Sequence, residues 1–297
     1  MPGSLESADE IKRIADQLLK SASAYGRFPT PVDDIVAAAK LSQAPDYVLE
    51  EKLINKLPLY MQRMLRSAQR KIQGLVDRRE RVVHVSPEIE HEGKRRFVLL
   101  HETIHAASPH QQDLLYADDK ETLSRSTNQL FEREANFGSA ELLFQRELFA
   151  KDAKELEIST ATIWFLAERY GASFHAALRR FAETHSAPVA AIVMGRTPTP
   201  GNTPTWERQE VMATTSWTEQ FGTPRWPRSM SALAYPFLAA LEHVELDSIA
   251  LPSMRGESIE VRVDTFQSPY NSFVLLWVPQ KSRLRKPLRV RVASHVA

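Results

Sequence analysis

At 297 residues, 43% hydrophobic, 25% charged and with a net charge of +1, the chain has the composition of a globular protein with room for two or three compact units. So small a net charge argues against nucleic-acid binding driven by overall electrostatics. There is no cysteine, which excludes disulfides and thiolate-held metal and leaves histidine and carboxylate as the available metal chemistry.

Met1-Pro2-Gly3-Ser4 has neither the basic nor the apolar stretch of a secretory signal, and no uncharged apolar run reaches membrane-spanning length. The expectation is a cytoplasmic protein with no membrane partner. Ile11, Ile14, Ala15, Leu18 and Leu19 form one stripe of a first helix. Thr30-Pro31-Val32-Asp33 reads as the start of a second, with a capping threonine and a first-turn proline. Between Leu53 and Arg81 basic residues accumulate (Arg63, Arg66, Arg70, Lys71, Arg78, Arg79 and Arg81). No aromatic platform accompanies them, so a solvated helix face explains them better than nucleic-acid contact.

Arg81-Val82-Val83-His84-Val85 reads as a short strand stopped by Ser86-Pro87. An edge strand at this place could pair with an extended peptide, although plain sheet packing is the favoured account of it. From Lys94 to Ala107 the spacing of Phe97, Leu100, Ile104 and Ala107 predicts a helix with one apolar stripe. On it lies His101-Glu102-Thr103-Ile104-His105, an H-E-x-x-H pattern. Residues four apart stack on one helix face, so His101 and His105 can offer imidazole nitrogens to a single ion. Glu102, about 100° round the axis, stands where it can hold a water and take its proton. The competing reading is two polar positions on an ordinary amphipathic helix.

A catalytic zinc site usually has three protein ligands and an open position. The metzincin spacing would need glycine at 108 and histidine at 111, where this chain has Ser108 and Gln111. His110 follows Pro109, which is expected to end the helix, and reads as a loop histidine near substrate. Glu132 is the favoured candidate. It lies on a further predicted helix, 121–145, with Leu130, Ala135, Gly138, Leu142 and Leu143 at apolar or small positions. Asn136 shares its face and can accept the free ring N–H of a ligand histidine. Gly138, Ser139 and Ala140 allow close helix approach, and Glu134 is expected to be a solvated charge. Tyr116 and His110 are candidates for stabilising the transition state.

The stretch 163–181 has the outline of a helix-turn-helix: two helical runs separated by Gly171, the second capped by Ser173. Leu166, Tyr170, Phe174, Ala177, Leu178 and Phe181 explain it as packing. His175, Arg179 and Arg180 make a thin recognition surface, so a structural linker is favoured over direct DNA binding. Pro188 to Met194 reads as a buried strand, and Pro198, Pro200, Gly201, Asn202 and Pro204 as a loop. Val211 to Trp217, Glu257 to Phe266, Ser272 to Val278 and Leu288 to Val292 read as strands, with an apolar helix around Ala232 to Leu241. Lys281, Arg283, Arg285, Lys286, Arg289 and Arg291 form a basic tail, read first as edge protection and second as an anion or nucleic-acid patch.

Two segments carry a family resemblance. Arg96-Phe97-Val98-Leu99-Leu100-His101-Glu102-Thr103-Ile104-His105 and the run Glu132-Arg133-Glu134-Ala135-Asn136 through Leu143 are similar to the two signatures of the ImmA/IrrE-type zinc metallopeptidases. The resemblance implies His101, His105 and Glu132 as metal ligands and Glu102 as the catalytic base. It implies zinc, or another divalent ion such as manganese, as the cofactor. It also implies a protein substrate, typically a helix-turn-helix repressor, whose cleavage switches on stress or mobile-element genes. Two departures stand out. Asn136 occupies a position commonly held by aspartate, and Phe144-Gln145 replaces a terminal Met-Pro, so the helix is expected to run on.

The expected architecture is therefore α+β: a mainly helical zincin-like metallopeptidase unit with a short sheet over 1–150, a helix-turn-helix-like segment over 151–186, and an α/β domain over 187–297 that family members of this length lead us to expect is GAF-like. The rival classes are a DNA-binding or ligand-sensing transcriptional regulator with a structural metal site, and a toxin–antitoxin or phage-defence component.

Overall fold

The structure, a computed structural model, describes residues 7–44, 74–77, 80–86, 88–111, 125–197, 205–242 and 248–279. Tyr116, most of the basic run before Arg81, the 198–204 loop, the expected strand at Leu288 to Val292 and the basic tail lie outside these residues. The chain divides into two compact units, one of residues 1–148 with 168–173 and one of 149–167 with 174–297. Together they are a mixture of helix and sheet, as expected. The segment 151–186 is shared between the two units. Among the described residues no helix is long and apolar enough to cross a membrane.

In the first unit, α1 (Ala8–Ser21) buries Ile11, Ile14, Ala15, Leu18 and Leu19, and α2 (Val32–Ala38) buries Val32, Ile35 and Val36. The short strands β1 (Ser42–Gln43), β2 (Gly74–Asp77) and β3 (Val82–Val85) form a sheet in the order β1-β3-β2, with β3 parallel to β1 and antiparallel to β2. The strand read from Arg81 to Val85 is thus the central one. Both its edges are taken, by β1 and β2, and the idea that it pairs with a peptide is corrected; β2, one of the two outer strands among the described residues, packs on the next helix.

That helix, α3 (Glu92–Ala107), starts two residues earlier than its apolar stripe suggests. The His91 ring accepts the Lys94 N–H at 3.3 Å, and Glu92 sits in the first turn, where the helix dipole favours an anion. Val98, Leu99, Leu100, Thr103, Ile104 and Ala106 are all buried, so the helix runs through the core of its unit. Next comes α4 (Arg125–Leu143). It packs against both α3 and α1. Gly138 makes this possible: a Cβ there would stand 2.7 Å from Ile104 Cδ1 and 2.9 Å from Ile11 Cγ2.

The expectation that α4 runs on past Phe144 is not met. It ends at Leu143, and Gln145 and Arg146 both take positive φ, at 48° and 58°. Gln145 is the reason. Its buried amide accepts from Gly26 N (2.7 Å) and donates to Arg27 O (2.8 Å) and Thr30 Oγ1 (3.1 Å), while Thr30 Oγ1 donates to Leu143 O (2.7 Å). The polar side chain ties the helix end to the α1–α2 loop and satisfies groups a continuing helix would leave unpaired. Residues 168–173 complete the unit. Gly171, at φ 69°, leaves the space that the Arg96 guanidinium fills, and the buried Tyr170 ring meets Phe28 edge-on.

The second unit comprises α5 (Glu147–Glu155), most of α6 (Thr160–Tyr170), α7 (Phe174–Thr184) and a six-stranded antiparallel sheet. Its strands are β4 (Val189–Thr197), β5 (Thr205–Ala213), β6 (Ser229–Ser231), β7 (Ser248–Pro252), β8 (Ser258–Gln267) and β9 (Ser272–Trp277), in the order β6-β5-β4-β9-β8-β7. The apolar run at Val189 is continuous because β4 is covered on both faces. Ala190, Ile192 and Met194 enter a core with Trp206, Trp217 and Phe237, and α7 packs on the strand as well. Asp264 accepts the backbone N–H of Thr160 at 2.7 Å and holds the start of α6 to β8.

One strand assignment needs correction. Val211 to Trp217 is not a single strand: β5 ends at Ala213 and α8 (Thr215–Phe221) begins. Thr214 Oγ1 accepts the Trp217 N–H at 3.1 Å, and that cap outweighs the β propensity of the threonines. The apolar helix expected around Ala232 to Leu241 is a 3₁₀ turn over Pro236–Glu242. The three basic residues of the helix-turn-helix outline are engaged. Arg180 is buried, and His175 and Arg179 both bond to Glu210, His175 Nε2 at 2.7 Å from Oε2.

Two outcomes follow from this packing. Gly138→Val should destabilise the first unit by about 1–3 kcal/mol, because two fully buried isoleucines must move; denaturant titration measures it. For Glu210, burial works to raise the carboxyl pKa, but the bond from His175 and the charge of Arg179 outweigh it and hold the pKa below its ordinary value. Its stabilisation is present above the unfolded pKa and lost as pH falls through the folded one. Glu210→Gln should therefore lower the melting temperature of the second unit at neutral pH, with the difference fading as the pH falls below the ordinary carboxylate range.

Candidate metal centre

Two helices supply the donors. On α3 the i, i+4 spacing brings the His101 and His105 rings to a centroid distance of 4.7 Å, with Nε2 atoms 3.1 Å apart. From α4 the Glu132 carboxylate reaches across, Oε2 at 3.3 Å from His101 Nε2 and Oε1 at 3.6 Å from His105 Nε2. Among the described residues these three form the one group of histidines and carboxylates whose donor atoms lie within 4.8 Å of one another.

The triangle fits a divalent ion. A tetrahedral zinc with ligands about 2.0–2.1 Å away has neighbouring donors separated by about 3.3 Å, and the observed edges of 3.1, 3.3 and 3.6 Å bracket that figure. Three protein donors of nitrogen and oxygen type with one side open is the composition of a catalytic zinc site. The histidine side chains are 14% and 13% exposed and that of Glu132 62%, so the carboxylate is on the solvent side.

Charge is distributed accordingly. Hydrogen bonds to His101 and His105 hold the Glu132 carboxyl far below the ordinary carboxylate range, against the smaller opposing effect of burial. For His105, burial is the largest single influence and disfavours the charged ring. The bonds to Glu132 and Gln111, with the charges of Glu102 and Glu132, together outweigh it and raise the pKa above its ordinary value. Glu102 itself is 8% exposed, on the side of α3 that meets β2. A side chain at position 74 would stand 2.8 Å from Glu102 Oε1, so the glycine at the start of β2 leaves this carboxylate its space.

Other expected roles change. Asn136 is exposed, and the outward ring nitrogen of His105 is bonded instead to Gln111, with Nδ1 2.7 Å from Oε1. Pro109 does end α3, but it also opens a new helical turn at 109–111, where proline suits the first position. His110 is therefore not a loop histidine, and its Nε2 lies 2.7 Å from Glu134 Oε2. Glu134, expected in solvent, is 1% exposed and is bonded by Ser7, His110 and Gln111. The signal was present in the sequence: Glu134 is three residues after Phe131 and four before Gly138, on the buried stripe of α4 rather than on the face of Glu132.

No curated protein matches the chain significantly. A solved Mycobacterium tuberculosis transcriptional regulator has a similar fold, with a TM-score of 0.52 at 14% identity over 92% of this chain and 90% of that one. Residues 60–182, which include both motif helices, match the IrrE N-terminal-like domain of the Peptidase M78 family. Residues 60–182 are thus similar to an IrrE N-terminal-like domain, which supports the resemblance to the ImmA/IrrE family.

Proposed function

We propose that the protein is a zinc-dependent endopeptidase that hydrolyses a peptide bond in a protein substrate, with His101, His105 and Glu132 as metal ligands and Glu102 as the base. The observation that carries this reading is the convergence of two imidazoles and one carboxylate from separate helices, within 4.8 Å, beside a buried glutamate. His101, His105 and Glu132 would hold the ion, which would supply Lewis acidity toward a water and the scissile carbonyl. Glu102 accepts the proton of the attacking water and returns it to the leaving amine. Among the described residues β3 pairs with only one side of β2, and we take the other side as the place for an extended peptide to pair.

In this reading the first unit is a zincin-like peptidase and the second a GAF-like sensor, a proposal that the all-antiparallel order of its sheet supports. The substrate we propose is a helix-turn-helix repressor, whose cleavage derepresses stress or mobile-element genes. A regulatory setting agrees with the name of the solved relative. That likeness also favours a second reading, a DNA-binding or ligand-sensing regulator with a structural metal site. Against it, His175 and Arg179 are committed to Glu210 and Arg180 is buried, which leaves the 163–181 helices little basic surface for DNA. Incubating the zinc-loaded protein with repressors encoded beside it, alongside operator gel shifts over a salt series, separates the two: the peptidase reading expects cleavage and no specific shift.

Three outcomes test the site itself. Glu102→Gln should keep its zinc, measured by metal analysis, and lose about 10²–10⁴-fold in cleavage rate; unimpaired cleavage would refute the mechanism. Glu132→Ala should fold, as judged by circular dichroism, and fail to retain zinc on dialysis. Because the His105 pKa is raised, protons compete for the ring from the alkaline side of its ordinary value of 6.5. Zinc affinity, read by a chelator competition, should fall as pH drops through neutrality.

A further inference from the structure

Behind the metal ligands lies a buried chain of polar groups that the proposed mechanism does not use. Glu134 sits on the face of α4 opposite Glu132 and is almost wholly enclosed. Its Oε1 accepts the Ser7 hydroxyl, and its Oε2 lies 2.7 Å from both Gln111 Nε2 and His110 Nε2. Gln111 is fully buried between Glu134 and His105, with its other end, Oε1, 2.7 Å from His105 Nδ1.

The donor and acceptor rules leave one arrangement. A carboxylate only accepts, so the amide must present its NH₂ to Glu134 and therefore its oxygen to His105. The reverse orientation would set two buried acceptors against each other with no proton between them, at a cost larger than that of an ordinary lost hydrogen bond. An amide oxygen also only accepts, so His105 Nδ1 must carry a hydrogen. In the neutral ring the lone pair is then on Nε2, the atom that faces His101 and Glu132.

We propose that Gln111 and Glu134 are positioning residues that fix the tautomer of His105, the buried carboxylate orienting the amide and the amide holding the proton on Nδ1, so that Nε2 is kept as the electron-pair donor. This rests on the metal-centre reading above and deepens it. A carboxylate placed directly on a ligand histidine is the commoner device. Here its charge acts one amide away, and the relay extends through Ser7 to the start of α1.

The test uses the full chain, stripped of metal and labelled with ¹⁵N-histidine, at a pH alkaline enough for the ring to be neutral. Long-range ¹H–¹⁵N spectra then read the tautomer of His105 without reference to activity. The wild type should show hydrogen on Nδ1. Gln111→Leu should shift the ring towards the Nε2–H form and weaken zinc, measured by chelator competition, by about 10–100-fold. The exchanged pair, Gln111→Glu with Glu134→Gln, keeps an acceptor facing His105 and a donor facing that acceptor. It should restore the Nδ1–H form and bring zinc affinity back to within about tenfold of wild type. A folded Gln111→Leu protein that retains both the Nδ1–H form and full zinc affinity overturns the proposal. If that variant does not fold, an Nε2–H ring in the exchanged pair overturns it. A wild type with the Nδ1–H form but no affinity for zinc supports the relay and refutes the metal centre instead.

Discussion

The close packing of α3 against α4 is the constraint from which the site follows. Two donors come from one helix and the third from the other, so the triangle of 3.1, 3.3 and 3.6 Å exists only at one helix separation and one axial register. Gly138 sets the separation, because the side chains of Ile104 and Ile11 occupy the volume its own would need. Ile104 lies between the two histidines in sequence, one face of the helix away. The residue that seats α3 in the core thus also turns His101 and His105 outward, and packing density becomes precision at the candidate metal site.

Three glutamates around this junction do different work because their surroundings differ. Glu132 is largely open to solvent, so its carboxylate loses little hydration on facing the two imidazoles. Glu102 is covered by β2 and keeps its room through Gly74. Glu134 is sealed inside, where three donors compensate its burial; burial pushes its pKa up, but the bonds from Ser7, His110 and Gln111 bring it below the ordinary value. Side-chain chemistry is the same in all three. Helix face and neighbouring packing assign the roles.

Much of the geometry of the candidate site was legible because it is local. The H-E-x-x-H spacing states its own geometry once a helix is granted, and Leu130, Ala135, Gly138, Leu142 and Leu143 grant the second helix, although it is Phe131 and not the exposed Leu130 that enters the core. What escaped was set by contacts distant in sequence. Gln111 was considered only as a failure of another family's spacing, and its partnership with His105 depends on the turn that Pro109 opens. The end of α4 is dictated by Gln145 reaching back to residues 26–30, which no local pattern announces. In the second unit the β4 run was clear, being apolar on both faces, while the short edge strands β6 and β7 have too few alternating residues to rise above turn composition.

The return of residues 168–173 to the first unit bears on how the protein can be divided. A fragment ending near residue 150 would contain every proposed metal ligand yet lack Tyr170 and Gly171, which close over Phe28 and make room for Arg96. Its core would be opened at the α1–α2 loop, on the same layer that carries Thr30 and Gln145. The unit that holds the ligands is thus discontinuous in sequence, and its autonomy depends on a short stretch of chain supplied from within α6 and the turn beyond it.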